Sequence, residues 1–510
     1  MLALLIPSAQ FAWRCRHMPE FGYLHDDGLF FVSAKSAAAG SYRIESLPEM
    51  PAQTKFPPLY PLYLSLIWHL NPHFPQNLDL ATGFSFAVLA ACLILSWIYY
   101  RGIFPESRSW ILTALLALNP YMILFGCRMF SEIFFTCWVL AVLLALRRPG
   151  MQMAILAGLL AGCAYLSRTA GIALLISVPA VLIWKKEARR AIVFAAAMLP
   201  AVLGWMLWTR AHAFPSPDPT ITYYTDYLRY EFLNVDRGNI GVVVWKNLSE
   251  VLYGMGSLVL PKLLDFGPVK ILTQVIAVAM IAGIVRLVRR GIAVEYAAFA
   301  LVSTGMLLVW HFPPSERFVL PLCPLLLAGL WTEGSRLAGM LKTALRHRDA
   351  GQRVVARGFA AVVVAIFGIA LALQFYVTFF YLQDSAEQKR PKMDELRAAY
   401  TWIDANLPPS ATLLSYDDPL MYLYTGHRGN YLPLMPRWWY SDDWPSMIGA
   451  YKDLDSYCRS RGLQYVYFSS NDLDREMGDD LRHQIQRVVH DEQGLSPLHS
   501  TPQGTVYKVN

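Results

Sequence analysis

The sequence predicts a polytopic α-helical membrane protein that carries a small α/β domain after its last span. Three observations lead there. Of 510 residues, 55% are hydrophobic and 16% charged, whereas a soluble domain carries roughly 25% charge. The mean hydropathy is +0.34. Apolar windows close to the ~20 residues that a helix needs to cross a bilayer recur along most of the chain, and from about residue 384 charged residues return and no window is long enough to span.

The expected spans are 1–15, 79–100, 109–126, 129–146, 152–167, 169–184, 190–209, 270–288, 292–310, 318–336 and 358–380, about eleven in all. The first lacks the basic start and small-residue cleavage site of a secretory signal and reads as a retained helix. Basic residues gather at Arg101 and Arg108, at Arg147 and Arg148, at Lys185, Lys186, Arg189 and Arg190, at Arg286, Arg289 and Arg290, and from Arg336 to Arg357. Each cluster lies an even number of spans from the next, so these loops share one face, the cytoplasm, because basic residues resist translocation. Arg14 and Arg16 fall on the other side.

That scheme describes a multi-pass protein of the plasma (inner) membrane with a cytoplasmic N-terminus. Outside lie the first loop 16–78, the turns at 127–132 and 167–169, the long loop 210–269, the stretch His311–Arg317 and the tail. Parity requires Leu59–Leu70 to lie on the outer surface as an amphipathic helix, starting at Pro57-Pro58. The division is a transmembrane domain over 1–383 and an extracytoplasmic α/β accessory domain over 384–510. In the tail, Met393–Asn406, Ser446–Arg461 and Leu473–Val488 read as helices, and Ala411–Tyr416, Leu463–Phe468 and Thr505–Val509 as strands, the first ending in a turn at Asp417-Asp418-Pro419.

Seven cysteines show no paired spacing and read as buried packing. The net charge of +7 sits mostly in the cytoplasmic loops, against anionic lipid head groups, and gives no reason to expect nucleic acid.

The chemistry concentrates outside. Asp26-Asp27 follows the first span, and Lys55-Phe56-Pro57-Pro58-Leu59-Tyr60-Pro61 places a basic residue before a rigid turn. A carboxylate at the mouth of a helix bundle serves as a general base or holds a divalent cation such as Mg or Mn. Both uses fit glycosyl transfer from a lipid-phosphate sugar, whose leaving group needs cations near the membrane surface: Lys55, Arg128, Arg168, His311 and Arg317 are candidates. Glu132 is a further acidic candidate, for substrate or, with Asp27, for metal. Structural readings stand beside these. Asp26-Asp27 also suits the cap of a helix starting near Gly28, Lys55 a snorkelling side chain, and Glu132 an i, i+4 pair with Arg128. The run Tyr223-Tyr224-Thr225-Asp226-Tyr227 suits either a sugar-stacking surface or an interfacial helix.

These segments resemble the membrane glycosyltransferases of the GT-C fold, in particular the superfamily of protein O-mannosyltransferases and lipid A aminoarabinose transferases. Asp26-Asp27 with Phe30 or Phe31, Ala34 and Gly40 resembles the family's first-loop Asp-Glu-x-x-Tyr-x-x-x-Ala pattern. Lys55 to Tyr60 is similar to its Lys-Pro-Pro-Leu-Tyr segment, Ser131-Glu132 to its second acidic motif, and Arg317-Phe318-Val319-Leu320-Pro321 to its Arg-Tyr-x-x-Pro run. This chain departs from the pattern in having Asp at 27 and Phe56 between Lys55 and the prolines. The resemblance implies an inverting transferase with Asp26 as catalytic base, Lys55 on the donor phosphate, and a polyprenyl-phosphate sugar and membrane lipids as partners; the acceptor, a glycan, lipid or protein, stays open. A polymerase or ligase of lipid-linked glycans is the nearest alternative. A transporter fits less well, since the expected spans are almost devoid of charge.

Overall fold

A computed structural model describes the chain apart from residues 23, 24, 217, 227, 228, 231–234, 236, 264, 265, 311, 347–349, 471 and 474–476. The described residues form two compact units, one of Met1–Cys15, Thr82–Trp205 and Val244–Ser385, the other of Arg16–Ala81, Met206–Val243 and Ala386–Asn510.

The first unit is helical, and each expected span falls on helix. Leu78–Arg101, Ala188–Ala211, Gly267–Arg289, Glu316–Leu345 and the run Arg353–Asn406 are long and apolar enough to cross a membrane. Their large outward-facing hydrophobics, such as Ile192, Ile271, Met340 and Val355, are surface that only lipid covers at low cost. The protein is a multi-pass membrane protein. The expected span 109–126 is two helices, Glu106–Ala117 and Pro120–Gly126, bent by 61°. Asn119 causes the break: its side chain accepts from the N–H groups of Tyr121 and Met122, and Pro120 has no N–H to continue the preceding helix. Ser131–Leu146, Met151–Ser167 and Val294–Leu308 have 16, 17 and 15 residues, so at about 1.5 Å per residue they fall short of the ~30 Å hydrocarbon core.

Glycines set the tightest helix crossings. A Cβ added at Gly283 would lie 1.9 Å from the carbonyl oxygen of Gly329, one at Gly329 2.3 Å from that of Met280, and one at Gly158 2.4 Å from that of Phe194. In lipid, where apolar burial gives no net drive, such backbone approach is a main source of helix association.

The second unit pairs a five-stranded sheet with the first-loop helices. The strands are β1 (Thr412–Ser415), β2 (Arg428–Asn430), β3 (Tyr465–Ser469), β4 (Leu495–Thr501) and β5 (Gly504–Val509), in the order β2-β1-β3-β5-β4. β2, β1 and β3 run parallel, with Leu413 opposite Gly429 and Leu414 opposite Val466; β5 is antiparallel to both β3 and β4. Leu414, Val466 and Tyr507 pack with Leu454, Cys458, Ile485 and Val489 in a core between sheet and helices.

Three strands and the helix Arg390–Asn406 match expectation to within a few residues. The expected helix Ser446–Arg461 is two, Trp444–Lys452 and Leu454–Arg461, with Asp453 between them. The expected helix Leu473–Val488 is Asp479–His490, Leu473 having φ +65° and 474–476 lying outside the described residues. β2 and β4 escape a sequence reading because β2 is three residues long and β4 carries Pro497 beside a register shift. The expected turn at Asp417-Asp418-Pro419 begins a helix, Asp418–Thr425, in which Pro419 stands in the first turn and Gly426 at φ +74° ends it.

Gly329→Val is expected to lower the unfolding temperature of the detergent-solubilised protein, at an overpacking cost of about 1–3 kcal/mol. An unchanged transition would mean that the crossing is looser than described.

Candidate active site

Asp26 and Asp27 open the helix Asp26–Ala38, whose N-cap is His25. The acids are therefore the first two helical residues and not its cap, two positions ahead of the start expected at Gly28. Negative charge in a first turn is favoured by the partial positive charge of the helix end. The helix is buried nearly all round, from Asp27 through Ala34, and ends where Gly40 takes φ +78°. Phe30 packs on Tyr60 and Phe56 at ring-centroid distances of 5.1 and 4.4 Å, and Phe31 on Trp68 at 4.8 Å, which joins it to Leu59–Leu70.

Asp27 is 4% exposed. Its Oδ2 accepts from the Gly22 N–H and its Oδ1 from the Gly28 N–H, each at 3.0 Å. Asp26, beside it, is half-buried.

Lys55 is 6% exposed, in a segment that Gln53 organises. The Gln53 side-chain oxygen accepts from the Lys55 and Phe56 N–H groups at 2.9 and 3.1 Å, and its amide donates to Ser33 Oγ at 2.8 Å. Tyr42 Oη donates to the Phe56 carbonyl and Thr54 Oγ1 to that of Thr225. The ammonium Nζ lies 4.0 Å from the centre of the Tyr223 ring and 5.3 Å from that of Phe56, a cation–π arrangement.

Tyr223 joins Lys55 to the start of the acidic helix. Its hydroxyl lies 3.0 Å from His25 Nδ1, while His25 Nε2 lies 2.7 Å from Asp418 Oδ1. Tyr224 Oη donates to the same Asp418 oxygen at 2.7 Å and accepts from the Tyr431 N–H at 3.0 Å. Burial, with the Asp418 charge beside it, pushes the Tyr224 phenol well above the usual tyrosine range, so it remains a donor at neutral pH. Lys55 and His25, the residue before Asp26, thus meet on Tyr223. Gln53, Asp418 and Tyr431 escaped the sequence reading; the signal for Asp418 was Asp followed by Pro, which marks a helix start as well as a turn.

Glu132, Arg168 and Arg317 form a second cluster, in the helical unit. Glu132 is 1% exposed, in the first turn of Ser131–Leu146. Its Oε1 accepts from Arg168 Nη1 at 2.6 Å and from Arg317 Nε, and Arg168 also donates to Ser131 Oγ at 2.8 Å. Arg317 lies 4.5 Å from the Phe130 ring centre. The i, i+4 pairing of Glu132 with Arg128 gives way to these partners; Arg128 is half-buried in the turn before the helix. His311 lies outside the described residues.

Of the two carboxylates expected to serve a cation, Asp27 already accepts a backbone N–H at each oxygen, and Glu132 is paired with two guanidiniums, whose charge disfavours a cation beside it. Among the described residues no three His, Cys, Asp or Glu side chains are grouped to hold a metal ion.

No family model matches the chain, and no curated protein matches it by sequence. Solved structures do. ArnT from Cupriavidus metallidurans bound to undecaprenyl phosphate superposes with a TM-score of 0.53 at 14% identity, covering 95% of this chain and 93% of that one. The fold is of the GT-C type. ArnT in the apo state follows at 0.48, with 12% identity over 94% and 93% of the two chains. The arabinofuranosyltransferase AftD from Mycobacteria follows at 0.43, with 16% identity over 94% of this chain and 39% of that one. At such identities the likeness is one of fold, and the GT-C architecture is shared over nearly the whole length.

Glu132→Ala is expected to destabilise the protein by about 1–3 kcal/mol, because it removes the carboxylate that the buried Arg317 and the half-buried Arg168 share. Thermal unfolding in detergent reads this directly, and an unchanged transition would show that the pair contributes nothing to the fold.

Proposed function

We propose that the protein is an inverting glycosyltransferase that moves a sugar from a polyprenyl-phosphate donor to an acceptor on the extracytoplasmic face of the inner membrane. The observation that carries this reading is the buried Lys55, held over Tyr223 next to the residue that precedes Asp26, in a chain with the GT-C fold. An ammonium withdrawn from water and fixed in place is suited to a phosphate, and the fold is shared with a protein whose structure holds undecaprenyl phosphate.

In this proposal Asp26 accepts the proton of the acceptor hydroxyl or amine as that group attacks the anomeric carbon. The bond to the lipid phosphate breaks on the opposite side, so the configuration inverts without a covalent enzyme intermediate. Lys55 stabilises the negative charge that grows on the departing phosphate. Asp27, whose oxygens accept the Gly22 and Gly28 N–H groups, shapes the site around Asp26. The Arg168–Glu132–Arg317 cluster carries two formal positive charges against one negative, and with Arg128 near it is assigned the same chemistry, an anion contact. His311 is proposed for the donor phosphate on sequence grounds. No step is routed through a divalent cation, because the Glu132 charge is already met by two guanidiniums and Asp27 is already engaged with the backbone. The basic loops support a cytoplasmic N-terminus and an extracytoplasmic tail.

The test is sugar transfer in proteoliposomes from a panel of synthetic polyprenyl-phosphate monosaccharides. Asp26→Asn should lower kcat by about 10²–10⁴-fold, the usual contribution of a general base, with folding intact; near-normal turnover would sink the assignment. Lys55→Gln should raise the donor KM and lower kcat, since the ammonium also meets the charge growing on the departing phosphate; both unaltered would remove Lys55 from the phosphate site. Transfer should survive EDTA, whereas loss on chelation with recovery on added Mg or Mn would restore a metal to the mechanism. Activity with longer lipid-linked glycans and none with monosaccharide donors would favour a polymerase or ligase.

A further inference from the structure

We propose that Asp418 is a positioning residue for the first-loop carboxylates: through His25 it fixes the backbone that aims Asp26. The proposal rests on the function given above for Asp26 and extends the site to a residue 393 positions away from His25 in sequence.

His25 is held at φ +59°, ψ −44°, outside the regions that L-residues with a side chain adopt freely. Such a conformation costs about 1–3 kcal/mol and persists where its surroundings over-determine it. Here the ring is tied at both nitrogens, by Asp418 at 2.7 Å and by Tyr223 at 3.0 Å. It also lies between the rings of Tyr223, Tyr224 and Tyr431 at 5.6, 5.7 and 5.6 Å. Asp26 is the next residue, so relaxation of the His25 torsions reorients Asp26 before any other side chain.

The backbone approach around His25 is equally close. A Cβ at Gly28 would lie 2.9 Å from Pro419 Cβ, and one at Gly22, at φ +87°, 3.0 Å from Leu420 Cδ2. These two glycines bracket His25–Asp27, and their N–H groups are the donors to Asp27. The helix that begins at Asp418 therefore lies directly against the turn that carries both acids, and side chains at 22 and 28 would push it off.

The charge on Asp418 has a role beyond filling space. The residue has no exposed surface; its Oδ1 receives two donors and its Oδ2 has no partner among the described residues. A buried polar atom left unpaired costs about 1–3 kcal/mol, which a purely structural position would shed by substitution. What the carboxylate supplies is an obligate acceptor. It forces His25 Nε2 to be the donor and so presents Nδ1 to the Tyr223 hydroxyl. Tyr223 is the ring over which Lys55 sits, so the same carboxylate sets the position of Lys55 relative to Asp26.

The test compares the full-length protein with Asp418→Asn, Asp418→Ala and His25→Gln by two measurements: amide hydrogen exchange over 25–31 without substrate, and transfer kinetics in proteoliposomes. In Asp418→Asn, exchange over 25–31 should rise while β3 and β5 stay protected, and kcat should fall by about 10–100-fold, as for a misaimed reacting group, with a smaller change in donor KM. His25→Gln, whose amide nitrogen can take the place of Nε2, should recover most of kcat. Unchanged exchange over 25–31 in both Asp418 variants would overturn the proposal. So would wild-type kcat in Asp418→Asn, or a loss of kcat that matches loss of protection throughout the sheet. If the wild type transfers no sugar from any donor, the assigned function falls, while the exchange measurement still decides whether Asp418 fixes the turn.

Discussion

Burial of charge is the constraint on which the rest of this molecule depends. A carboxylate taken out of water must be given hydrogen bonds or a counter-charge, since desolvation otherwise outweighs what folding supplies. Three of the buried acids among the described residues meet that demand in three ways. Asp27 takes two backbone N–H groups, Glu132 takes two guanidiniums, and Asp418 takes an imidazole and a phenol. Each solution fixes a piece of backbone: the start of Asp26–Ala38, the start of Ser131–Leu146 and the start of Asp418–Thr425. All three acids stand in first turns, where the helix end adds a favourable field.

Asp26 is placed differently. It is half-buried beside Asp27, which accepts two backbone N–H groups, and in the proposed reaction it is the acid that meets the acceptor. Lys55 is likewise placed by side chains that never touch a substrate in the proposed reaction. Gln53 clamps its main chain, Tyr223 faces its ammonium, and prolines set the turn that follows. A lysine held this way loses little conformational freedom when it binds an anion, so more of the contact appears as binding or catalysis.

Much of this was legible in the sequence. Among the described residues, hydrophobic runs marked each helix long and apolar enough to cross a membrane, because a helix in lipid must be apolar along most of its length. The motifs at Asp26 and Lys55 were legible because each is local: an acid pair, or a lysine before prolines. What escaped depends on long-range contact. Asp418 reads as a turn residue until His25 and Tyr224 are brought to it, and Gln53 is an ordinary loop glutamine until two N–H groups converge on its oxygen. Glu132 shows the same limit. Its nearest basic residue in sequence is Arg128, yet its partners are Arg168, from the turn after Met151–Ser167, and Arg317, from the short helix Glu316–Val319, since buried pairing follows packing and not spacing. The GT-C fold was likewise legible from the order of its motifs, while the bend at Asn119 and the two edge-region strands β2 and β4 were not.

The most direct test of the account is an experimental structure of the protein with a polyprenyl-phosphate sugar bound. The account predicts the lipid phosphate within hydrogen-bonding distance of Lys55 Nζ, the anomeric carbon turned toward Asp26, and Asp27 still bound by the Gly22 and Gly28 N–H groups. A donor whose phosphate lies away from Lys55, with Asp26 out of reach of the anomeric carbon or of an acceptor attacking it, would contradict it.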